Sequence, residues 1–115
     1  MLALVHLGMW AGERPQVLPV NYAVLDGDVA FRTGVNTVLA AGTDDRTVAF
    51  EADEIDDLME SGWSVQVVGR ARHVYDQAEV ANVFERLSDP WAPGTRPLVV
   101  RITPEEITGR RFTKH

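Results

Sequence analysis

Along most of the chain apolar and polar residues alternate with a period of two, and turn residues separate the alternating stretches. Leu2–Met9 reads as a first strand, with Leu2, Leu4 and His6 on one face. Val17–Leu25 is apolar on both faces, as a strand inside a barrel is. Asn21 is the exception there, sharing a face with Pro19 and Ala23. Asp26-Gly27 is the pair that a two-residue hairpin turn prefers. Beyond it, Val29 and Phe31 alternate with Ala30 and Arg32 until Thr33-Gly34. Asn36 or Thr37 then caps a short helix, Val38–Ala41, that stops at Gly42. Thr47–Ala52 is a strand with Val48 and Phe50 on one face. Gly62–Tyr75 is the longest strand, and Gly69 marks a bend or bulge in it. Leu98–Thr103 is the last long strand. Pro104-Glu105-Glu106 turns it, and Ile107–Phe112 continues in extended form.

One long stretch has the helical period instead. Asp76 is an N-cap with Glu79 three residues on, and Val80, Val83, Phe84 and Leu87 form an apolar stripe. The helix Asp76–Leu87 covers the sheet. The chain is therefore mainly β and antiparallel, with about six strands and one or two short helices.

Composition narrows the function classes. The length of 115 residues predicts one domain, 1–115. A formal charge of −6 argues against non-specific nucleic-acid binding, which needs Lys and Arg at phosphates. The absence of cysteine excludes disulfides, zinc thiolates and a thiol nucleophile, and permits a cytoplasmic location. No apolar run reaches the roughly 18–20 residues of a spanning helix. The three histidines, His6, His73 and His115, share no ligand-like spacing, so no metal site is expected. The run Glu51–Glu60 holds six acidic residues, interrupted by Ile55, Leu58 and Met59. It reads as a solvated loop or a single helical turn, with no pocket around it and no pair of catalytic carboxylates.

Candidate chemistry gathers around Arg32. It ends a strand just before a helix N-terminus, where a cation, the hydroxyls of Thr33 and Thr37 and free backbone N–H groups suit a phosphate. The structural alternative is a solvated strand-end arginine.

The motifs Pro19-Val20-Asn21-Tyr22 and Phe31-Arg32-Thr33 come first in a longer series. Val48–Asp56, Gly62–Ala71, Pro90–Gly94 and Val100–Phe112 follow in order. Together they resemble the pyridoxamine 5′-phosphate oxidase-like family of FMN-binding split β-barrels. The chain looks like a small actinobacterial-type member. The resemblance implies a six-stranded antiparallel split β-barrel, forming a homodimer with cofactor sites between subunits. It implies an FMN-dependent oxidoreductase that acts on a small molecule in the cytoplasm, without nucleic-acid or membrane partners. The deazaflavin F420 is the rival cofactor. A non-catalytic barrel that binds haem, or that has lost its cofactor, is the rival class.

Carried over residue by residue, the resemblance implies that Pro19, Val20, Asn21 and Tyr22 lie against the flavin ring. Arg32, Thr33, Asn36 and Thr37 would hold its phosphate. Trp63 and Ser64 would reach it from the start of their strand, and Arg110 or Arg111 from the chain end, in the partner subunit. No catalytic acid or base is implied. Three departures accompany the match. Relatives carry a lysine where this chain has Val38. They place a helix before the first strand, and that helix is expected to be absent here. True pyridoxamine phosphate oxidases end in a tryptophan and an Arg-Leu-His segment, where this chain has Gly109-Arg110-Arg111-Phe112. Pyridoxamine 5′-phosphate is therefore not the expected substrate.

Overall fold

The structure is a computed structural model that describes residues 4–34, 37–87 and 97–113. Seven strands and two helices follow in the order β1 (Leu4–Ala11), β2 (Arg14–Pro19), β3 (Ala23–Leu25), β4 (Asp28–Thr33), α1 (Val38–Gly42), β5 (Arg46–Asp56), β6 (Ser61–Val74), α2 (Gln77–Arg86) and β7 (Leu98–Thr113). The strands form one antiparallel sheet with the order β2-β1-β5-β6-β7-β4-β3.

The seventh strand comes from the stretch 17–25, which alternation reads as one continuous strand. Its first half pairs with β1, and its last three residues pair with β4 at the other end of the sheet. Pro19 is the last residue of β2. Residues 20–22 carry the chain from one sheet edge to the other, so the edge strands β2 and β3 are neighbours in sequence. Val20 and Tyr22 turn inward and pack against the core, whereas Asn21 is exposed. The mainly β antiparallel architecture holds, with seven strands rather than six, in a curled and unclosed sheet consistent with a split barrel.

One core fills the curl. Leu7, Met9, Val29, Phe31, Val48, Phe50, Val67, Val100 and Ile102 form a single buried cluster drawn from β1, β4, β5, β6 and β7. Gly42, the last residue of α1, lets that helix seat on β1: a Cβ there would lie 2.6 Å from Met9 Sδ and 3.0 Å from the Trp10 carbonyl. A second, smaller core lies on the outer face, where Val80 and Val83 of α2 and its C-cap Leu87 cover Leu25, Ala30, Val74 and Val99.

Several local signals act as the sequence predicts. Asp26 and Gly27 both take positive φ between paired Leu25 and Asp28. Asp76 caps α2 by accepting the Glu79 N–H at 3.0 Å. Thr37 caps α1 by accepting the Ala40 N–H at 3.1 Å. The acidic run differs. Residues 51–56 belong to β5 and only 57–60 form a turn, because Phe50 and Ala52 face the core and hold the strand to β6.

A bulge lies opposite Gly69, where the register slips between Val68 and Gly69. Glu106 pairs with Val68 and Pro104 with Gly69, so the extra residue is Glu105 on β7. A Cβ on Gly69 would stand 2.3 Å from the Thr103 carbonyl oxygen. The bulge reverses the alternation of β7. Odd residues such as Arg101 face outward before it, and even residues such as Thr108 and Arg110 face outward after it.

Candidate functional site

The structure divides the residues singled out from sequence into three places. The first is the start of α1. Thr33 Oγ1 lies 2.8 Å from Thr37 Oγ1. The Thr37 hydroxyl donates to the Gly34 carbonyl at 3.0 Å and accepts from Ala40 N–H. Its single proton is thus engaged, and the Thr33 hydroxyl is the donor of the pair. Asn36 lies outside the described residues, as do the segment 90–94 and His115.

Arg32 does not join these hydroxyls. A strand sends neighbours to opposite faces, so Arg32 leaves β4 on the outer side while Thr33 faces inward. Its Nη1 donates to the Leu87 carbonyl at 2.8 Å, at the C-terminus of α2. Its guanidinium lies 3.7 Å from the centroid of the Phe84 ring. A cation at a helix C-terminus stabilises the last carbonyls, and stacking on an aromatic face adds to this. The arginine expected at a phosphate instead anchors a helix.

The second place is the crossing segment. Tyr22 packs edge-on against Phe50, with ring centroids 5.0 Å apart. Pro19 and Asn21 are exposed. Pro19 pairs with His6 and so stands beside the third place.

That third place is a cleft of about 700 Å³ on the outer face of β1, β5, β6 and β7. Across these strands His6, Glu51, Gln66 and Thr108 form one row, and Asp53, Ser64 and Arg110 the next. Gly8 and Ala49 leave a shallow floor between the taller side chains. Ser64 and Arg110, paired across β6 and β7, both line the cleft. Arg110 does so because of the bulge at Glu105. Trp63, adjacent to Ser64, faces the other way and packs against the core.

The cleft carries opposed charges. His6 Nδ1 lies 3.8 Å from Glu51 Oε2, and both side chains are partly exposed. A hydrogen bond with the Asp53 carboxyl pushes the Glu51 carboxyl up from its ordinary value. Partial burial and the Asp53 charge push the same way, and His6 opposes them. The acidic run therefore does contribute a carboxyl, that of Glu51, to the cleft, with Asp53 beside it. Alternation with Phe50 and Ala52 places Glu51 and Asp53 opposite the core, on the face where the cleft lies. Three other arginines among the described residues are paired with acids. Arg70 faces Asp45, Arg72 and Arg101 face Glu79, and Arg101 also binds Asp28.

The family model for pyridoxamine 5′-phosphate oxidase matches residues 3–111. This chain belongs to the pyridoxamine 5′-phosphate oxidase-like family. Among solved structures of this fold, an FAD-binding protein from Mycobacterium smegmatis is 36% identical with a TM-score of 0.82, covering 99% of this chain and 89% of that one. An FAD-binding protein from Mesorhizobium loti has a TM-score of 0.78 at 21% identity, covering 96% and 84%, a likeness of fold. The uncharacterized protein Rv0080 of Mycobacterium tuberculosis is 38% identical over 85% of this chain and 67% of its own length. In this member of the family, no helix among the described residues is long and apolar enough to cross a membrane.

Proposed function

We propose that this chain is a flavin-dependent oxidoreductase of the pyridoxamine 5′-phosphate oxidase-like family, with FMN as its cofactor and a small organic substrate. It works in the cytoplasm as a homodimer, with one cofactor in each of two clefts between subunits. The observation that carries this reading is the cleft itself. Its volume of about 700 Å³ suits a cofactor, and Ser64 and Arg110 meet there. The 36% identity to a protein described as FAD-binding supports a flavin.

The residues present fit such a group. Arg110 offers a guanidinium to an anion, and Ser64, Gln66 and Thr108 offer hydrogen bonds to a polar ring edge. Gly8 and Ala49 leave room for a planar ring. Pro19 stands beside the cleft through its pairing with His6, whereas Val20 and Tyr22 pack inward on the core and Thr33 and Thr37 meet at the start of α1, outside the cleft lining. Trp63 supports Ser64 from behind. When bound, the flavin supplies hydride transfer at its N5, and the protein supplies binding, orientation and exclusion of water. Trp10 and Val17 are exposed on the same outer face, and a two-fold partner would cover them with an identical patch.

A second reading is a barrel that keeps the fold without flavin chemistry. It is favoured by the engagement of Arg32 with α2, and by Val38 at the position where the resemblance implies a lysine. Parallel fluorescence and calorimetric titrations with FMN, FAD, F420 and haem separate the two. Saturable binding of one FMN per subunit is expected. Binding of F420 alone would change the cofactor, binding of haem alone would favour the second reading, and no binding would overturn the first.

A further inference from the structure

We propose that Glu51 is the proton-exchanging residue of the cleft, held by Asp53 and His6 against a ligand that carries a basic oxygen or nitrogen. The inference deepens the flavin reading and rests on it. Four observations carry it. Glu51 lines the same cleft as Ser64 and Arg110. It stands two residues from Asp53 on one face of β5, so the two carboxyls are side by side. His6, its register partner on β1, brings an imidazole within 3.8 Å. Its strand is pinned between β1 and β6 by Phe50 and Ala52 in the core, so the backbone below the carboxyl is rigid.

The charged surroundings are few. Asp53 faces Glu51 from its own strand and His6 from β1. Across the cleft β7 presents Arg110 and, by register, Glu106. At this face β2 presents Val17 and Pro19, and β6 presents Ser64 and Gln66, none of them charged. Two neighbouring carboxyls resist holding two negative charges, so one of them keeps its proton to a higher pH than an isolated carboxyl does. The Glu51 carboxyl is the one pushed up.

The assigned step is a proton transfer alone. The carboxyl O–H bond of Glu51 breaks, and the proton passes to the lone pair of the ligand oxygen or nitrogen. Glu51 is left as a carboxylate, and solvent at the open side of the cleft restores the proton. The ligand class is accordingly a heterocycle or carbonyl compound that gains basicity during its reaction. Arg110, roughly 12 Å away across two strands and one further row, suits an anionic group at the ligand's far end.

The test uses the full chain with FMN as the probe. Carbon-13 titration of the side-chain carboxyls follows Glu51 itself. Calorimetry of FMN binding in buffers of different ionisation enthalpy counts the protons exchanged. Glu51 is expected to titrate above the ordinary glutamate value of about 4.3. Bound FMN should shift that titration, with proton exchange over the same pH window. Glu51→Gln should abolish the exchange. Asp53→Asn keeps the carboxyl, removes its partner and should move the midpoint downward, and it carries the test if Glu51→Gln does not fold. Exchange that persists in Glu51→Gln, a midpoint unmoved in Asp53→Asn, or a Glu51 titration untouched by saturating FMN overturns the proposal and leaves flavin binding standing. Failure of the wild-type chain to bind FMN overturns the flavin reading and this proposal with it.

Discussion

The outer face of the sheet has two halves that use polar residues in opposite ways. Over β3, β4 and the first part of β7, α2 covers the sheet, and its charges are paired. Arg101 donates from Nε to Asp28 at 2.7 Å and from Nη2 to the Leu25 carbonyl at 3.2 Å, and lies 3.5 Å from Glu79. Arg32 is held by Leu87 and Phe84. Over β1, β5, β6 and the second part of β7, nothing in the chain covers the sheet among the described residues. There Arg110 makes no hydrogen bond or ion pair among them, and two carboxyls sit together. Sequence chemistry alone does not tell these arginines apart. What separates them is whether a helix has already used the groups opposite.

Substitutions sharpen the contrast. Arg101→Ala should have the largest effect. It leaves Asp28 without its main partner in a mostly buried setting and should destabilise by about 3 kcal/mol. Thermal and urea unfolding would check this, and a change below about 0.5 kcal/mol would mean that the covered half is not held by charge. Arg110→Ala should do the reverse. The melting temperature should stay within about 1 °C, and the FMN Kd should rise roughly tenfold if the arginine binds an anion. An unchanged Kd would remove Arg110 from the site.

Arg32→Ala tests which half this residue serves. Loss of its bond at the α2 C-terminus should cost about 1–2 kcal/mol, with the FMN Kd changing less than twofold. A tenfold rise in Kd without destabilisation would return Arg32 to the phosphate. The smallest effect belongs to Glu51. Its folded-state value is raised, so the native state binds more protons than the unfolded chain between the ordinary value and the raised one. Stability should fall as pH rises through that window and level off above it. Glu51→Gln should remove this slope and make the protein slightly more stable at pH 7, as melts across pH 4 to 7 would show.

Signals that act over a few residues were readable in advance. The Asp26-Gly27 turn, the caps at Thr37 and Asp76 and the bulge signal at Gly69 all depend on local geometry. Pairing between distant segments was not readable. Nothing within residues 17–25 says that its ends belong to opposite edges of the sheet, and both halves are equally apolar. The outward placement of Arg32 has a usable signal. It alternates with Phe31 and Thr33, so a strand carried through Thr33 already puts it on the other face. The cleft had only half a signal. Alternation turns Glu51 and Asp53 away from the core, but their meeting with Ser64 and Arg110 depends on the register of β5, β6 and β7. Residue parity in β7 reverses at Glu105, a change visible only against its partner strand.

That reversal divides one strand into two regimes of protection from solvent. Residues 99–102 are bonded to β6 on one side and β4 on the other. Residues 104–113 are bonded to β6 alone among the described residues, and most of their side chains are exposed. Opening the first segment requires disrupting the core, whereas the second can peel from a single neighbour. Amide hydrogens of Val99 and Val100 should therefore exchange only when the whole domain unfolds. Those of Thr108 and Arg110 should exchange through local fraying. The strand segment that carries the cleft's arginine is thus held by one neighbour, as the edge strands β2 and β3 are, and a bound ligand or a second subunit at the cleft would register as slowed exchange there.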